Sequence, residues 1–526
     1  MMQTVLLLSV PVVLPLLAAG VSLLLSPFPI AQRVLGTAVL AAVLVDAAVL
    51  LSLVDSSGRQ VLQAGGHPVP LGITLVADRF SALALVVAVV VCLAVLLYAI
   101  GQGSAERRIE NVPSVFHPTY LVLVAGIALV LLTGDLFTLF VGFEVMLMAS
   151  YVLTTLGPTV ERVRAGMIYV SSSLTATILL LTTIGLVYAV TGTVNLAQLS
   201  ELVPQLSPGL RDFLALLLLA VLGIKAAMVP LHWWLPDSYP AAPAPITAVF
   251  AALLTKVAVY AIVRTQTLLF PREEPWTLLL VLAAVTMLVG ILGALAQHDL
   301  NRVLSFTLVS HIGFMLFGLA MSSVLGLTGT ILYFVHHITV QAALFLVAGL
   351  VEQRRSTTEL SRLGGLATAA PVLGALFLVP ALSISGMPPL AGFLGKLALL
   401  QAAVADGTAQ VLAVAGIALL TSLLTLAAMG RVWAAVFWGP PPAQRAPAGQ
   451  EEDGAHEGDE AEPHRRTTTV RRAGRLRTVA AALAVSSGLA VAAGAGPLSA
   501  FAERAATDLA DRAGYRTAVL DEGSNP

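Results

Sequence analysis

GIKAAMVPLHWWLPDSYPAAPAPITAVFAALLTKVAVYAIVR, residues 223–264, sets two lysines, Lys225 and Lys256, into apolar sequence on either side of a proline-rich break. Pro230, Pro236, Pro240, Pro243 and Pro245 stop any continuous helix, while the flanks are apolar enough for membrane spans. Irregular backbone at membrane depth survives only where protein or a water-filled cavity satisfies its polar groups. The only other lysine, Lys396 in GFLGKLALLQ, lies beside a second proline-rich break, and the remaining 25 of the 28 cations are arginine. A desolvated ammonium can give up its proton and a guanidinium effectively cannot. The lysines therefore read as titratable groups and the arginines as fixed charge.

Composition agrees. At 58% hydrophobic and 11% charged, with mean hydropathy +0.91, the 526 residues are far more apolar than a soluble domain, in which about a quarter are charged. The expected fold is an all-α polytopic membrane protein of about 14 transmembrane helices. Apolar segments of roughly 20 residues fall near 4–25, 33–54, 80–101, 114–133, 135–157, 165–191, 210–230, 244–269, 276–297, 301–322, 325–350, 370–404, 409–438 and 474–497. The start, without a basic region or a cleavage site, reads as a first span rather than a removed signal. The single cysteine, Cys92, excludes a disulfide framework or a cysteine metal site and reads as a small lipid- or core-facing residue.

Arginines gather in the loops after odd-numbered spans, including Arg107, Arg108, Arg162, Arg164, Arg302, Arg354 and Arg355. The positive-inside rule then makes those loops cytoplasmic and turns both termini outward. Residues 55–79, with glycine and proline punctuation, read as a small external hairpin. Between the last two spans the chain is acidic and proline-rich, expected to be disordered, and then basic in RRTTTVRRAGRLR, either an orientation signal on anionic lipid or a partner site. The C-terminal AFAERAATDLADRAGYRTAV reads as a short surface helix. The parts are thus a three-span region (1–113), two five-helix units (114–269 and 276–438), the linker (439–473), and the last span with its tail (474–526).

A charge at mid-bilayer costs on the order of 3 kcal/mol, so ionisable residues there are rare and by default functional. Glu144, in GFEVMLMASYVL, has no cation within a helical turn; its partner must come from another helix, and Lys225 is the choice. The competing reading is an ion pair that only fixes two helices, although buried pairs are a poor source of stability. A carboxylate holds a lysine's proton and desolvation loosens it, so opening the pair would act as a switch. Lys256, on the next helix, could exchange the proton through water. His232, Trp233, Trp234, Asp237 and Ser238 crowd the break; the tryptophans suit interfacial anchors as well as a site. Further on, His336 and His337 are adjacent, point to different faces and so do not form a metal pair; with Gln341 one turn beyond, they read as a proton relay. His311 fits packing or relay equally. Lys396 closes the series. Two interrupted helices in comparable places of two halves mark an internal inverted repeat with its path at the breaks. The repeat is chemically asymmetric, since the second half has no glutamate matching Glu144. No nucleotide, haem or iron–sulfur motif appears, and no cofactor is expected.

GFEVMLMASYVL, PLHWWLPDSYPAAPAPITAVFAALLTK, HDLNRVLSFTLVSHIGF and GMPPLAGFLGK together resemble the antiporter-like membrane subunits shared by respiratory complex I and the multisubunit Mrp-type sodium/proton antiporters. The likeness runs to about residue 497, and lysine at 396 without a long lateral helix looks most like the D-type branch of the Mrp antiporters. The resemblance implies fourteen spans with inverted five-helix repeats and a proton path through Glu144, Lys225, Lys256, the central histidines and Lys396. It also implies obligate partner subunits in a plasma-membrane complex, with no redox cofactor and no nucleic acid bound here. Many relatives carry a lysine where this chain has Gln341, so water beside His336 or His337 has to bridge that step. The implied function is proton movement in a cation/proton antiporter, not an enzyme's chemistry. The alternatives are a pumping subunit of an NADH-quinone oxidoreductase or membrane-bound hydrogenase, and a stand-alone carrier.

Overall fold

The computed structural model of the chain describes residues 2–67, 69–103, 115–156, 159–440 and 463–521. It is a multi-pass membrane protein: among the described residues, 11 helices are long and apolar enough to cross a bilayer. Eleven of the expected spans lie on them. The other three differ for identifiable reasons. Phe116–Leu132 has only 17 residues. Pro208–Ala226 carries Arg211, Asp212 and Lys225. The segment expected at 370–404 is two helices, Pro371–Ser385 and Ala391–Asp406.

Both interrupted helices end alike. Pro208–Ala226 stops at Ala227, in the left-handed region at φ 59°, where the amides of Ala227 and Met228 turn back to the carbonyls of Ile224 and Gly223. Pro371–Ser385 stops at Gly386, φ 90°, with the amides of Gly386 and Met387 on the carbonyls of Ser383 and Leu382. Two polar groups at the first break are met by protein: Val229 N–H donates to Thr286 Oγ1 at 3.3 Å, and Trp234 Nε1 donates to the Ile224 carbonyl at 2.9 Å. Trp234 is buried, whereas Trp233 is 57% exposed, so the two adjacent tryptophans have separate environments.

The most deeply buried spans carry ionisable and polar side chains within an apolar core. Val324–Arg355 and Ala244–Leu268 are the two spans whose membrane windows are 100% buried, against 33% for Val160–Thr191. They carry His336, His337, Gln341 and Lys256, which lipid would penalise. Close helix contacts come from glycine. A Cβ on Gly126 would lie 2.6 Å from Met146 N, and one on Gly290 would lie 2.5 Å from Ser310 Cα. Each of these glycines stands nine residues before an aspartate, Asp135 or Asp299, that caps the next helix through the amide of Thr138 or Arg302. Each aspartate also forms an isolated β-bridge to the chain after the second helix that follows it, Asp135 with Asn195 and Asp299 with Glu359.

The hairpin expected over 55–79 is present: Gln60–Ala64 pairs antiparallel with Ile73–Ala77, Val61 opposite Val76. The tail forms two helices, Ala495–Ala510 and Arg512–Asp521. They are tied to the hairpin region by Arg59 to Asp511, Arg79 to Asp508 and Arg504 to Asp55. Cys92 faces the core. The helix of the last span begins at Pro463 and ends at Ala493, and the acidic part of the linker, 441–462, lies outside the described residues.

Candidate functional site

Glu144 sits on Leu136–Thr154 and Lys225 in the last turn of Pro208–Ala226, where a helix dipole favours a cation. They belong to one cluster without forming a direct ion pair. Lys225 Nζ donates to Thr177 Oγ1 at 3.1 Å, and Thr177 Oγ1 donates to Glu144 Oε1 at 2.5 Å. The ammonium also lies 5.1 Å from the Phe143 ring centre, a cation–π distance. Beside it is a cavity of about 20 Å³, lined by Phe143, Tyr169, Ser172, Ser173, Lys225 and Leu254, which is room for about one water molecule.

Leu254 closes a π-turn, Phe250–Leu254, and that turn serves the second lysine. The wider turn leaves the Ala251 carbonyl to accept from Lys256 Nζ at 2.6 Å. Lys256 is fully buried and pairs with no carboxylate among the described residues. Along the same helix face stand Tyr260 and Arg264; Arg264 donates to the Tyr260 hydroxyl at 3.1 Å and forms a buried ion pair with Asp78 at 2.5 Å.

The histidines meet at the centre. His337 and His311 stack, ring centres 5.5 Å apart, and His311 also stacks on Phe314 and Tyr333. His311 Nδ1 is hydrogen-bonded to the Tyr333 hydroxyl, and its Nε2 lies 3.4 Å from Thr425 Oγ1. His336 points the other way, toward Gly392 on the helix of Lys396: a Cβ there would meet its Nε2 at 2.9 Å. The adjacent pair thus faces two directions, as helical geometry requires. All four ring nitrogens of His336 and His337 are buried without a hydrogen-bond partner among the described residues, a demand that buried water ordinarily meets. Gln341 donates to the Leu304 carbonyl at 3.1 Å.

Lys396, in Ala391–Asp406, reaches back across the second interruption and donates to the carbonyls of Ile384 and Ser385 at 3.0 and 3.1 Å, 4.8 Å from the Phe314 ring centre. It satisfies carbonyls that the helix end leaves open. Gly386 is needed here both for its positive φ and because a Cβ would press on the Lys396 side chain.

Two sequence candidates stand apart from this cluster. Asp237 is half exposed and paired with Arg302 at 2.8 Å. His232 is half-buried beside Phe306. Sequence reasoning missed Thr177, Tyr333 and the Asp78–Arg264 pair, as well as Asp46, whose Oδ2 is buried on Pro29–Ser57 without a hydrogen-bond partner among the described residues. The polar run SSSLTAT inside the 165–191 span was the available signal for Thr177.

Among the described residues no group of three His, Cys, Asp or Glu side chains converges as metal ligands do. What the arrangement offers is a set of buried and half-buried ionisable groups, two of which, Lys225 and Glu144, are linked through the Thr177 hydroxyl. Residues 133–425 match the family described as NADH:quinone oxidoreductase/Mrp antiporter, TM. The chain is 39% identical over 432 residues to the D-type protein of the Na(+)/H(+) antiporter of Alkalihalophilus pseudofirmus, covering 82% of this chain and 86% of that one. It is similar to a chain in the structure of the Mrp complex from Dietzia sp. DQ12-45-1b, with TM-score 0.88, 33% identity, and coverage of 99% and 100%. It shares its fold with a chain of respiratory complex I from Thermus thermophilus, with TM-score 0.76, 24% identity, and coverage of 97% and 99%. This chain belongs to the NADH:quinone oxidoreductase/Mrp antiporter transmembrane family.

Proposed function

We propose that the chain is the D-type, proton-carrying subunit of a multisubunit Na+/H+ antiporter in the cell membrane, and that it moves H+ along Glu144, Lys225, Lys256, the central histidines and Lys396. The observation that carries this is the series itself. Every lysine of the chain is buried and hydrogen-bonded to oxygen, one through Thr177 to Glu144, one on a π-turn carbonyl, one on an open helix end. Arginine, which cannot release a proton, takes the buried position that is salt-bridged to Asp78. Likeness to relatives named as D-type antiporter proteins supports the same assignment. The role is carriage rather than covalent chemistry, the partners are the other subunits of the complex, and Na+ crosses elsewhere in the assembly.

The architecture in this reading has fourteen crossings with both termini outward, and inverted five-helix repeats at 114–269 and 276–438. Support comes from the matched glycine spacing, aspartate caps, β-bridges and interruptions. The position equivalent to Glu144, nine residues after the capping aspartate, is Leu308 in the second repeat. The family description also covers NADH:quinone oxidoreductase subunits. Co-purifying flavin and iron–sulfur subunits would favour that alternative, and small antiporter subunits the present one. In vesicles carrying the assembled complex, Glu144→Ala and Lys225→Ala should each abolish Na+-dependent pH responses while leaving assembly intact; wild-type responses would sink the proton path.

A further inference from the structure

We propose that the Thr177 hydroxyl relays a proton between Lys225 and Glu144, so that the two charges neutralise each other without coming into contact. The inference rests on the reading of Glu144 and Lys225 as a proton-loading pair. A threonine in an apolar helix usually turns its hydroxyl back to the carbonyl four residues before it. Thr175, Thr182, Thr183 and Thr191 of the same helix do so. Thr177 instead donates at 2.5 Å to Glu144 Oε1 and accepts at 3.1 Å from Lys225 Nζ. One buried hydroxyl thereby has its proton committed to the anion and a lone pair committed to the cation.

That polarity defines a balanced transfer. One N–H bond of the Lys225 ammonium breaks as an O–H bond forms at Thr177 Oγ1, while the original Oγ1–H bond breaks and its proton joins Glu144 Oε1. Thr177 ends with one proton, as it began. Lys225 becomes a neutral amine, Glu144 a neutral acid, and the hydrogen bonds reverse direction: the acid donates to Thr177 and Thr177 to the amine. A separated charge pair in a low-dielectric setting is removed, and neither long side chain crosses the gap. Once the amine turns its lone pair from Thr177 to the cavity at its side, which Ser172 and Ser173 line, it can accept a new proton there.

The test uses the assembled complex in vesicles. Thr177→Val keeps the branched shape and removes the hydroxyl; Thr177→Ser keeps the hydroxyl and removes the methyl. Expected is a loss of proton-coupled transport of at least about tenfold for Thr177→Val, with a displaced pH profile and unchanged complex yield. Thr177→Ser should keep the wild-type pH profile and most of the rate. A Thr177→Val complex with wild-type rate and pH profile, beside inactive Glu144→Ala and Lys225→Ala, would overturn the relay and leave the loading pair standing. Equal loss in the serine and valine variants would also overturn it, by placing the role in the methyl group. Transport by Lys225→Ala itself would instead remove the reading beneath.

Discussion

Lys225→Arg separates a charge that is needed from a proton that is needed. The guanidinium keeps the positive charge at the end of Pro208–Ala226, can still donate to Thr177, which the native ammonium meets at 3.1 Å, and can still face the Phe143 ring. The adjoining cavity of about 20 Å³ gives the larger head room. The proton is what changes. Reference affinities of arginine and lysine differ by roughly 2 to 3 pKa units, so an arginine there releases its proton about 100- to 1,000-fold less readily, which is about 3 to 4 kcal/mol. If Lys225 only anchors Glu144, that difference has no consequence, and the substitution should be silent. If Lys225 carries protons, transport should fall by about two orders of magnitude or more. The assay is the initial rate of Na+-induced pH change in inverted vesicles, with complex content measured by subunit stoichiometry. Wild-type rates at normal complex content would refute the carrier role, because the charge alone would then suffice.

Three other outcomes follow from the packing. Asp78→Asn leaves Arg264 as an uncompensated buried charge, 8% exposed and stacked between Tyr260 and Tyr515; stability should fall by about 3 to 5 kcal/mol, read as earlier thermal unfolding of the purified complex, and Asp78→Leu with Arg264→Met should recover most of it. Gly126→Ala and Gly290→Ala force a methyl against the backbones of Met146 and Ser310, each costing about 1 to 3 kcal/mol and lowering the melting temperature without altering the pH profile of what assembles. Asp237→Ala removes a half-exposed ion pair with Arg302, worth about 0 to 1 kcal/mol, and transport rates should stay at wild-type values despite the position of Asp237 beside the break.

The spans, the hairpin and the interruptions are legible in the sequence because each follows from a local rule: apolar length, turn residues, or proline. The lysines were legible for a different reason, that lipid makes a charge conspicuous wherever it falls. What stayed hidden is what depends on contacts across the fold. Thr177 is one of many hydroxyls in its helix, and nothing local says which of them abandons its own backbone. The π-turn at Phe250–Leu254 has neither glycine nor proline inside it; the carbonyl it leaves for Lys256 is a property of the packed helix. Asp78 and Arg264 each sit near a predicted span boundary, where a charge passes for ordinary, and only folding brings them into one buried pair. For Asp237, proximity in sequence to a broken helix suggested a site, and the structure pairs its side chain with Arg302, apart from the lysine cluster.

The two interruptions use one backbone device for unlike chemistry. At the first, the lysine belongs to the helix that ends there, and its hydrogen bond leads through a hydroxyl to a carboxylate. At the second, the lysine comes from the helix that follows, and its hydrogen bonds lead to the bare carbonyls of the helix that ends. A carboxylate can take the proton it attracts; a peptide carbonyl at these pH values cannot. In the relay proposed above, Lys225 has a built-in acceptor and discharges within its own cluster. The Lys396 ammonium contacts only carbonyl dipoles and the Phe314 ring among the described residues, so on the proposed path its proton leaves by way of another group or water. The ring nitrogens of His336, which faces the helix of Lys396 at Gly392, are buried without a hydrogen-bond partner among the described residues. On the proposed repeat and proton path, glutamate on one side and leucine on the other would sort the two lysines into a site that can neutralise itself and a site that can only pass its proton on.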